Sequence, residues 1–204
     1  MAVVITVGVT ACLPGYPGAP HIVGAIGISV DTENHPIIVL TWCDGATPED
    51  VTVSHDEPYS GVPGAGSLGD RQLVPSIAAS NHSVEDAKFS APPLDGRSAS
   101  VRLDAPADGW TVEPEPLVLK PGIAYDATGG KGRGYSRFST SNVNFTAEDM
   151  AKLKPGRVLI QRAKESPLKT PEIPGVDTEM TWVDRVISRE EFDREGQDPT
   201  YCRY

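Results

Sequence analysis

Ser67 is the first residue whose surroundings could support catalysis. It lies in the run Ala65-Gly66-Ser67-Leu68-Gly69, which has the A-x-S-x-G form of one hydrolase nucleophile elbow. In that motif a strong strand precedes the serine and a helix follows it, so that the nucleophile sits on a strained turn. Here the flanking residues are rich in glycine, proline and acids, a composition typical of a loop on both sides. The sequence therefore favours a glycine-rich loop over a catalytic serine.

A second candidate is an anion-binding loop. Residues 128–134 read TGGKGRG, and Lys131, Arg133 and Arg137 could hold an anion together with backbone amides. The spacing matches neither the phosphate-binding loop nor the dinucleotide fingerprint, because no Gly-Lys-Ser/Thr opens a helix. Two alternatives stay open: a solvated hairpin tip, and a site for an acidic envelope polymer or a lipid headgroup.

The run His55-Asp56-Glu57 carries metal-binding atoms, but adjacent residues of an extended chain point to alternating faces and cannot all converge on one ion. His21, His35 or His82 could complete such a site only if the fold brought it close. Carboxylates are plentiful, but a glycosidase-like acid pair is identified by the separation of its carboxyl groups, which a sequence does not give. The sequence thus assigns no catalytic residue, no metal ligand and no cofactor.

Cys12 carries a clearer chemical prediction. The uncharged residues 2–11 end in Val9-Thr10-Ala11 before Cys12, which resembles the end of a bacterial lipoprotein signal peptide, where a small residue precedes the lipidated cysteine. The positively charged start of such signals is lacking, which predicts a true start upstream of Met1. Residues 13–20, LPGYPGAP, have the composition of a tether. The alternative is an edge strand over residues 3–9 with a buried Cys12 in a cytosolic protein.

The other two cysteines form an even pair if Cys12 is lipidated. In an exported chain, where disulfides persist, we predict that Cys43 and Cys202 are bonded to each other. The bond would close most of the domain into one loop and contribute about 5 kcal/mol by chain entropy. Two unrelated buried thiols in a cytosolic protein are the alternative.

The composition predicts many short elements. Twenty glycines and nineteen prolines interrupt the 204 residues, and no run of eighteen apolar residues occurs. The run HPIIVLTWC, residues 35–43, is typical of a strand buried on both faces, and the polar turn before it predicts an antiparallel hairpin with residues 22–30. Similar patterns give about nine short strands, with helices beginning after Thr146 and Ser188.

We therefore predict a mainly β, antiparallel sandwich-like domain with one or two short helices, an α+β domain being the commonest competitor. Residues 21–204 form this single domain, after a truncated signal-peptide-like segment, residues 1–11, and the tether, residues 12–20. Within the domain, Leu117-Val118-Leu119 has the pattern of an edge strand between prolines, and residues 128–134 that of a flexible loop.

Charge is unevenly distributed along the chain. The net charge is −10, yet residues 120–164 hold nine basic and three acidic groups. An acidic chain repels nucleic acid at long range, so no nucleic-acid partner is predicted. The basic segment either pairs with acidic stretches across the fold or meets an anionic polymer.

Several of these features occur together: the lipobox-like start, the Gly/Pro tether, a strand ending in WC, the run FTAEDMAKLKPGRVLI and the ending SREEFDREGQDPTYC. In this combination the chain resembles uncharacterised small lipoproteins of the actinobacterial cell envelope. The resemblance implies an exported, membrane-tethered domain without a known reaction, and it carries over no catalytic residue.

We therefore expect a non-enzymatic binding or structural module, lipid-anchored at the extracellular face of the bacterial cell membrane, with an envelope protein or an anionic polymer as partner. The alternative is an exported hydrolase whose site is built from scattered carboxylates and histidines. A deep pocket with convergent titratable groups would favour the enzyme, whereas a shallow surface would favour the binding module.

Overall fold

A computed structural model describes residues 21–58, 81–132, 138–167 and 178–198. These residues form strands and two short helices, in the following order along the chain: β1 (His21–Ile22), β2 (Gly24–Val30), β3 (Pro36–Trp42), β4 (Asp50–Pro58), β5 (Asn81–Ser90), β6 (Ser98–Arg102), β7 (Thr111–Glu113), β8 (Tyr125–Lys131), β9 (Phe138–Phe145), α1 (Ala147–Lys152), β10 (Arg157–Pro167), β11 (Thr178–Ser188) and α2 (Arg189–Gly196). No helix among them is long and apolar enough to cross a membrane.

The strands form two sheets. One has six strands in the order β1-β9-β8-β4-β5-β7, and the other has five in the order β11-β10-β2-β3-β6. Apart from the short parallel pair of β1 with β9, the recorded pairings are antiparallel. The prediction of a mainly β, antiparallel fold with short helices is confirmed.

The main core lies between the two sheets. Ile28 and Leu40 of the five-stranded sheet meet Phe89 and Phe145 of the six-stranded sheet in one buried cluster. This arrangement is that of a sandwich, in which alternate residues of each strand point into the space between the layers.

A second cluster lies on the outer face of the five-stranded sheet. Val39, Val158, Ile160 and Ile187 point outward there and are covered by Phe192 of α2. The close packing contacts of α2 are with β2, β3, β10 and β11, all of the five-stranded sheet. That sheet is therefore buried on both faces at its centre, whereas polar residues cover the outer face of β4, β8 and β9.

The β2–β3 hairpin forms as the sequence predicts. Its register runs from Gly24 opposite Trp42 to Val30 opposite Pro36. Ile38, Val39 and Leu40 are fully buried, since Ile38 and Leu40 face the main core and Val39 faces the cluster under α2. The prediction that β3 is buried on both faces is confirmed.

Both helix starts are also confirmed. The Thr146 hydroxyl accepts a hydrogen bond from the backbone N–H of Asp149, and the Asp149 carboxylate accepts one from the backbone N–H of Thr146, which completes a capping box. Ser188 caps α2 by accepting from the backbone N–H of Glu191. Each cap satisfies a backbone donor that has no partner within its helix.

Two local predictions were wrong. Residues 117–119 are not a strand: Leu117 is anchored by a 2.8 Å hydrogen bond from its N–H to the carbonyl of Leu103, while Val118 is 75% exposed. The loop predicted from residue 128 is strand as far as Lys131. Gly129 is needed within that strand, because a Cβ there would lie 2.8 Å from Cδ2 of Leu40 in the facing sheet.

Candidate ligand-binding surface

The outer face of the six-stranded sheet carries two cross-strand rows of polar side chains. On β4, Thr52 and Ser54 alternate with the buried Val51 and Val53, since successive strand residues point to opposite faces. The strand registers align one row as Lys88, Thr52, Thr128 and Asn142, and the other as Glu85, Ser54, Asp126 and Asn144. These eight residues are termed the polar face.

Asp126 is the centre of hydrogen bonding on the polar face. Its carboxylate accepts a hydrogen bond of 3.0 Å from the Asn142 amide and one of 3.4 Å from the Thr128 hydroxyl. At the rim, the Asn144 amide donates to Gln161 over 2.9 Å, and the Lys88 ammonium lies 3.1 Å from Asp50. These contacts hold five of the eight side chains in place, which lowers the entropic cost of binding a ligand there.

Two cavities adjoin along the polar face. The first, of about 510 Å³, extends from the two rows towards Gly132 and Phe138. The second, of about 600 Å³, extends the other way towards Gly122 and Ile123. Both are lined by Ser54 and Asp126, so the two cavities adjoin at the centre of the polar face, and together they are termed the hollow.

The lining of the first cavity contains more acidic than basic side chains. The carboxylates of Asp50, Glu85 and Asp126 line it together with the ammonium groups of Lys88 and Lys131. Lys88 is paired with Asp50, so among the described residues of the lining the carboxylates are in excess. A ligand that donates hydrogen bonds therefore fits this hollow better than an anion does.

The predicted anion-binding residues are only partly within the described chain. Lys131 ends β8, and its ammonium lies 3.0 Å from the carboxylate of Glu49. Arg133 and Arg137 lie outside the described residues, so the anion-binding loop stays a prediction.

A histidine–carboxylate cluster lies where β4 and β5 extend beyond the core. Nδ1 of His55 donates to Asp86 over 2.7 Å, and its Nε2 lies 3.4 Å from Glu57. The other carboxylate oxygen of Glu57 lies 3.8 Å from Nε2 of His82. The sequence identified these histidines and Glu57 but missed Asp86. A register shift in β4–β5 leaves Asp86 opposite no residue, and such bulges re-aim a side chain.

The electrostatics of this cluster favour the imidazolium. The hydrogen bond to Asp86 raises the pKa of His55 above its usual 6.5, and the contact with Glu57 acts in the same direction against the effect of burial. One edge of the His55 ring also meets Tyr125, with ring centroids 6.2 Å apart.

The other histidines considered for a metal site lie elsewhere. His35 is in the β2–β3 turn, 3.1 Å from Asp31, and His21 begins β1. Within residues 21–58, 81–132, 138–167 and 178–198, no three His, Cys, Asp or Glu side chains are placed to hold one metal ion.

Cys43 is 2% exposed and packs with Val23 and Ala46 at the end of β3. Cys12 and Cys202 both lie outside the described residues, so the pairing of Cys43 with Cys202 and the lipidation of Cys12 stay predictions. Ser67 lies outside them as well.

The polar face itself was not identified from the sequence. The sequence does show polar and apolar residues alternating along these strands. In Asn142-Val143-Asn144-Phe145, for example, the polar residues face outward and the apolar ones inward. That alternation does not say which strands are neighbours, and the rows exist only because β8 lies between β4 and β9.

No protein-family model, curated protein or solved structure matches the chain. Function is therefore inferred from the polar face and from the cysteines.

Proposed function

We propose that this protein is an exported, lipid-anchored, non-enzymatic binding module, and that the polar face binds a neutral, hydroxyl-rich ligand such as an envelope glycan. The observation that carries the proposal is the pair of cross-strand rows lining two adjoining cavities. The outer face of the other sheet is covered at its centre by α2, whereas no helix covers the polar face in the described part of the chain.

The chemistry of the polar face suits hydroxyl groups. Threonine and serine hydroxyls donate and accept, asparagine amides do both, and carboxylates accept, so a row of them can pair with successive hydroxyls of a sugar chain. The excess of carboxylates disfavours an anionic polymer, which revises the partner expected from the sequence alone. Phe138 at one end of the hollow adds apolar surface that a sugar ring could contact.

The binding experiment uses isothermal titration with maltohexaose, cellohexaose and mannohexaose as neutral probes and alginate as the anionic probe. Thr52→Val and Thr128→Val remove one hydroxyl each while keeping the shape of the side chain. Each lost hydrogen bond is worth about 1 kcal/mol, so each variant should weaken binding roughly fivefold. Thr181→Val on the edge strand of the other sheet is the matched control and should bind as the wild type does.

Tighter binding of alginate than of every neutral probe would contradict the proposed ligand class. The polar face would be excluded as the binding surface if none of the four probes bound. It would also be excluded if Thr52→Val and Thr128→Val bound with the same affinity as the wild type and Thr181→Val.

Export and anchoring are supported by the cysteines. A disulfide between Cys43 and Cys202 would fit an oxidising compartment. Cys202 is five residues beyond Gln197, whose amide donates to the carbonyl of Arg97, and the same carbonyl accepts from the N–H of Trp42. A chain spans about 3.3 Å per residue, so Cys202 is within reach of the end of β3.

Intact-mass analysis of membrane-fraction protein tests the anchor, and peptide mapping without reductant tests the pairing. We expect lipid on Cys12, its loss in Cys12→Ser, and a peptide joining Cys43 to Cys202. An unmodified N-terminus in protein from the membrane fraction would exclude the anchor, and a peptide joining Cys43 to Cys12 would exclude both predictions.

The second candidate is an exported hydrolase, favoured by one observation. His55, held by Asp86, lines the second cavity beside Ser54 and Ser83, which is the arrangement of a general base with an orienting carboxylate. Nε2 of His55, however, contacts the Glu57 carboxylate instead of a hydroxyl nucleophile. Hydrolysis of a glycoside or ester probe that is abolished by His55→Gln and unaffected by His35→Gln would establish the enzyme.

A further inference from the structure

The hollow on the polar face is elongated along the strands. On β4 the first cavity is lined by alternate residues from Asp50 to Ser54, and the second cavity continues from Ser54 to Asp56. On β8 the lining passes in the same way from Lys131 through Asp126 to the residues that precede the strand. The long axis of the hollow therefore follows β4 and β8.

The floor of the hollow is a regular two-stranded ribbon. β4 and β8 pair continuously from Asp50 opposite Gly130 to His55 opposite Tyr125. The register shifts lie in the flanking pairs instead, which are β4 with β5 and β8 with β9. Gly130 adds no side chain to the floor, so the hollow continues past it to Phe138. Such a floor fits a straight ligand, because a coiled chain would diverge from it after a short contact.

Polar groups at the two ends of the ribbon set the length of that ligand. Lys131 of β8 and Asp56 of β4 are seven positions apart in the register, which corresponds to about 23 Å or about four pyranose rings of an extended chain. An ammonium group has three donors, so Lys131 can donate to a hydroxyl while it contacts Glu49. The exposed carboxylate of Asp56 can accept from a hydroxyl at the other end.

We propose that the hollow binds a straight, β-1,4-linked glycan that lies parallel to β4 and β8, with about four pyranose rings between Lys131 and Asp56. This rests on the proposed function, since the ligand remains neutral and rich in hydroxyls and only its linkage, direction and length are added. Hydroxyls project from both edges of such a chain, and side chains of β5 and β9 flank the floor on both sides. An α-1,4-linked glycan curves, so fewer of its rings would contact the floor at one time.

The test is isothermal titration of the full 204-residue chain with cello-oligosaccharides of two to six units and with maltohexaose. Each ring added within the hollow gains about one hydrogen bond, worth about fivefold in affinity, so binding should tighten at least about tenfold from cellobiose to cellotetraose. The last two rings of cellohexaose extend beyond the hollow and should add less than about threefold. Maltohexaose should bind at least about tenfold more weakly than cellohexaose.

Two variants at opposite ends of the hollow test the direction of the glycan. Lys131→Met and Asp56→Ala each remove one polar group, and each should weaken the binding of cellohexaose about fivefold or more. Cellobiose is too short to contact both ends, so at most one of the two variants should weaken its binding. Glu115→Ala removes an exposed carboxylate that lines neither cavity, and this matched control should bind both glycans as the wild type does. Circular dichroism verifies that each variant is folded.

The possible outcomes separate the orientation of the glycan from the proposed function. Unchanged binding of cellohexaose in both end variants, or an affinity that does not rise beyond cellobiose, would overturn the direction and length but leave a glycan bound at the polar face. Maltohexaose that binds as tightly as cellohexaose would overturn the straight ligand. Binding of none of these glycans would overturn the proposed function itself, and the orientation with it.

Discussion

Replacing Phe192 by alanine tests whether α2 is an integral cover of the five-stranded sheet. The ring is 1% exposed and packs in one cluster with Val39, Val158 and Ile187. Truncating a buried phenylalanine removes its transfer free energy and leaves a cavity, which together cost about 3–5 kcal/mol. Because whole domains have a free energy of unfolding of about 5–15 kcal/mol, this is a large share of the total.

The assay is urea denaturation followed by circular dichroism, with the reductant omitted. We expect Phe192→Ala to lower the denaturation midpoint while the slope of free energy against urea stays constant, because the surface exposed on unfolding hardly changes. Trp182→Ala is the control: this aromatic ring is 58% exposed on β11, and its loss should cost less than about 1 kcal/mol.

Equal costs for the two substitutions would refute the reasoning. The outer face of β3 and β10 would then not depend on α2 for its burial. The contrast between a covered five-stranded sheet and a ligand-accessible six-stranded sheet, on which the proposed function rests, would be lost with it.

Three further predictions concern local features. The hydrogen bond to Asp86 raises the pKa of His55, so protonated His55 stabilises the fold fully below about pH 6.5, and this stabilisation is lost as pH rises through the folded-state pKa. The difference in free energy of unfolding between the wild type and His55→Gln, measured by urea denaturation, should therefore shrink from about pH 6 to about pH 9. Thr146→Ala should lower stability by about 1 kcal/mol in the same assay by removing the cap of α1, whereas Thr146→Asn should retain most of it. Gly196→Ala should lower the free energy of unfolding by about 1–3 kcal/mol, because its Cβ would overlap Cγ2 of buried Thr41. Thr41→Ser, which deletes that methyl group, should restore part of the loss.

The sequence predicts those parts of the fold that depend on neighbouring residues. The apolar run of β3, the turn before it and the caps at Thr146 and Ser188 are short-range patterns, and each forms as expected. The turn is held by Asp31, whose carboxylate accepts from the backbone N–H groups of Glu33 and His35. The residues that make such contacts are close together in the sequence, so a short sequence pattern contains all of them.

The features that were missed depend on residues far apart in the chain. β9 is mostly polar, and its place is fixed by Val143 and Phe145 facing the core opposite Ala127 and Tyr125 of β8. β8 runs through two glycines that read as a loop, since the close approach of Leu40 to Gly129 comes from the other sheet. The pairing of Asp86 with His55 depends on a bulge between β4 and β5, which no local sequence pattern predicts.

A difference between strand patterns in the sequence nevertheless separates the centre of the covered sheet from the strands of the polar face. Ile38-Val39-Leu40 of β3 and Val158-Leu159-Ile160 of β10 are unbroken apolar runs, and a strand of that kind needs cover on both faces. β4 and the end of β9 alternate, so they need cover on one face only. The two unbroken runs belong to the sheet that α2 covers, and β4 and β9 belong to the sheet with the polar face. β6 alternates as well but lies in the covered sheet, because it is an edge strand there. An unbroken run therefore indicates a strand at the centre of the covered sheet, whereas alternation alone assigns a strand to neither sheet.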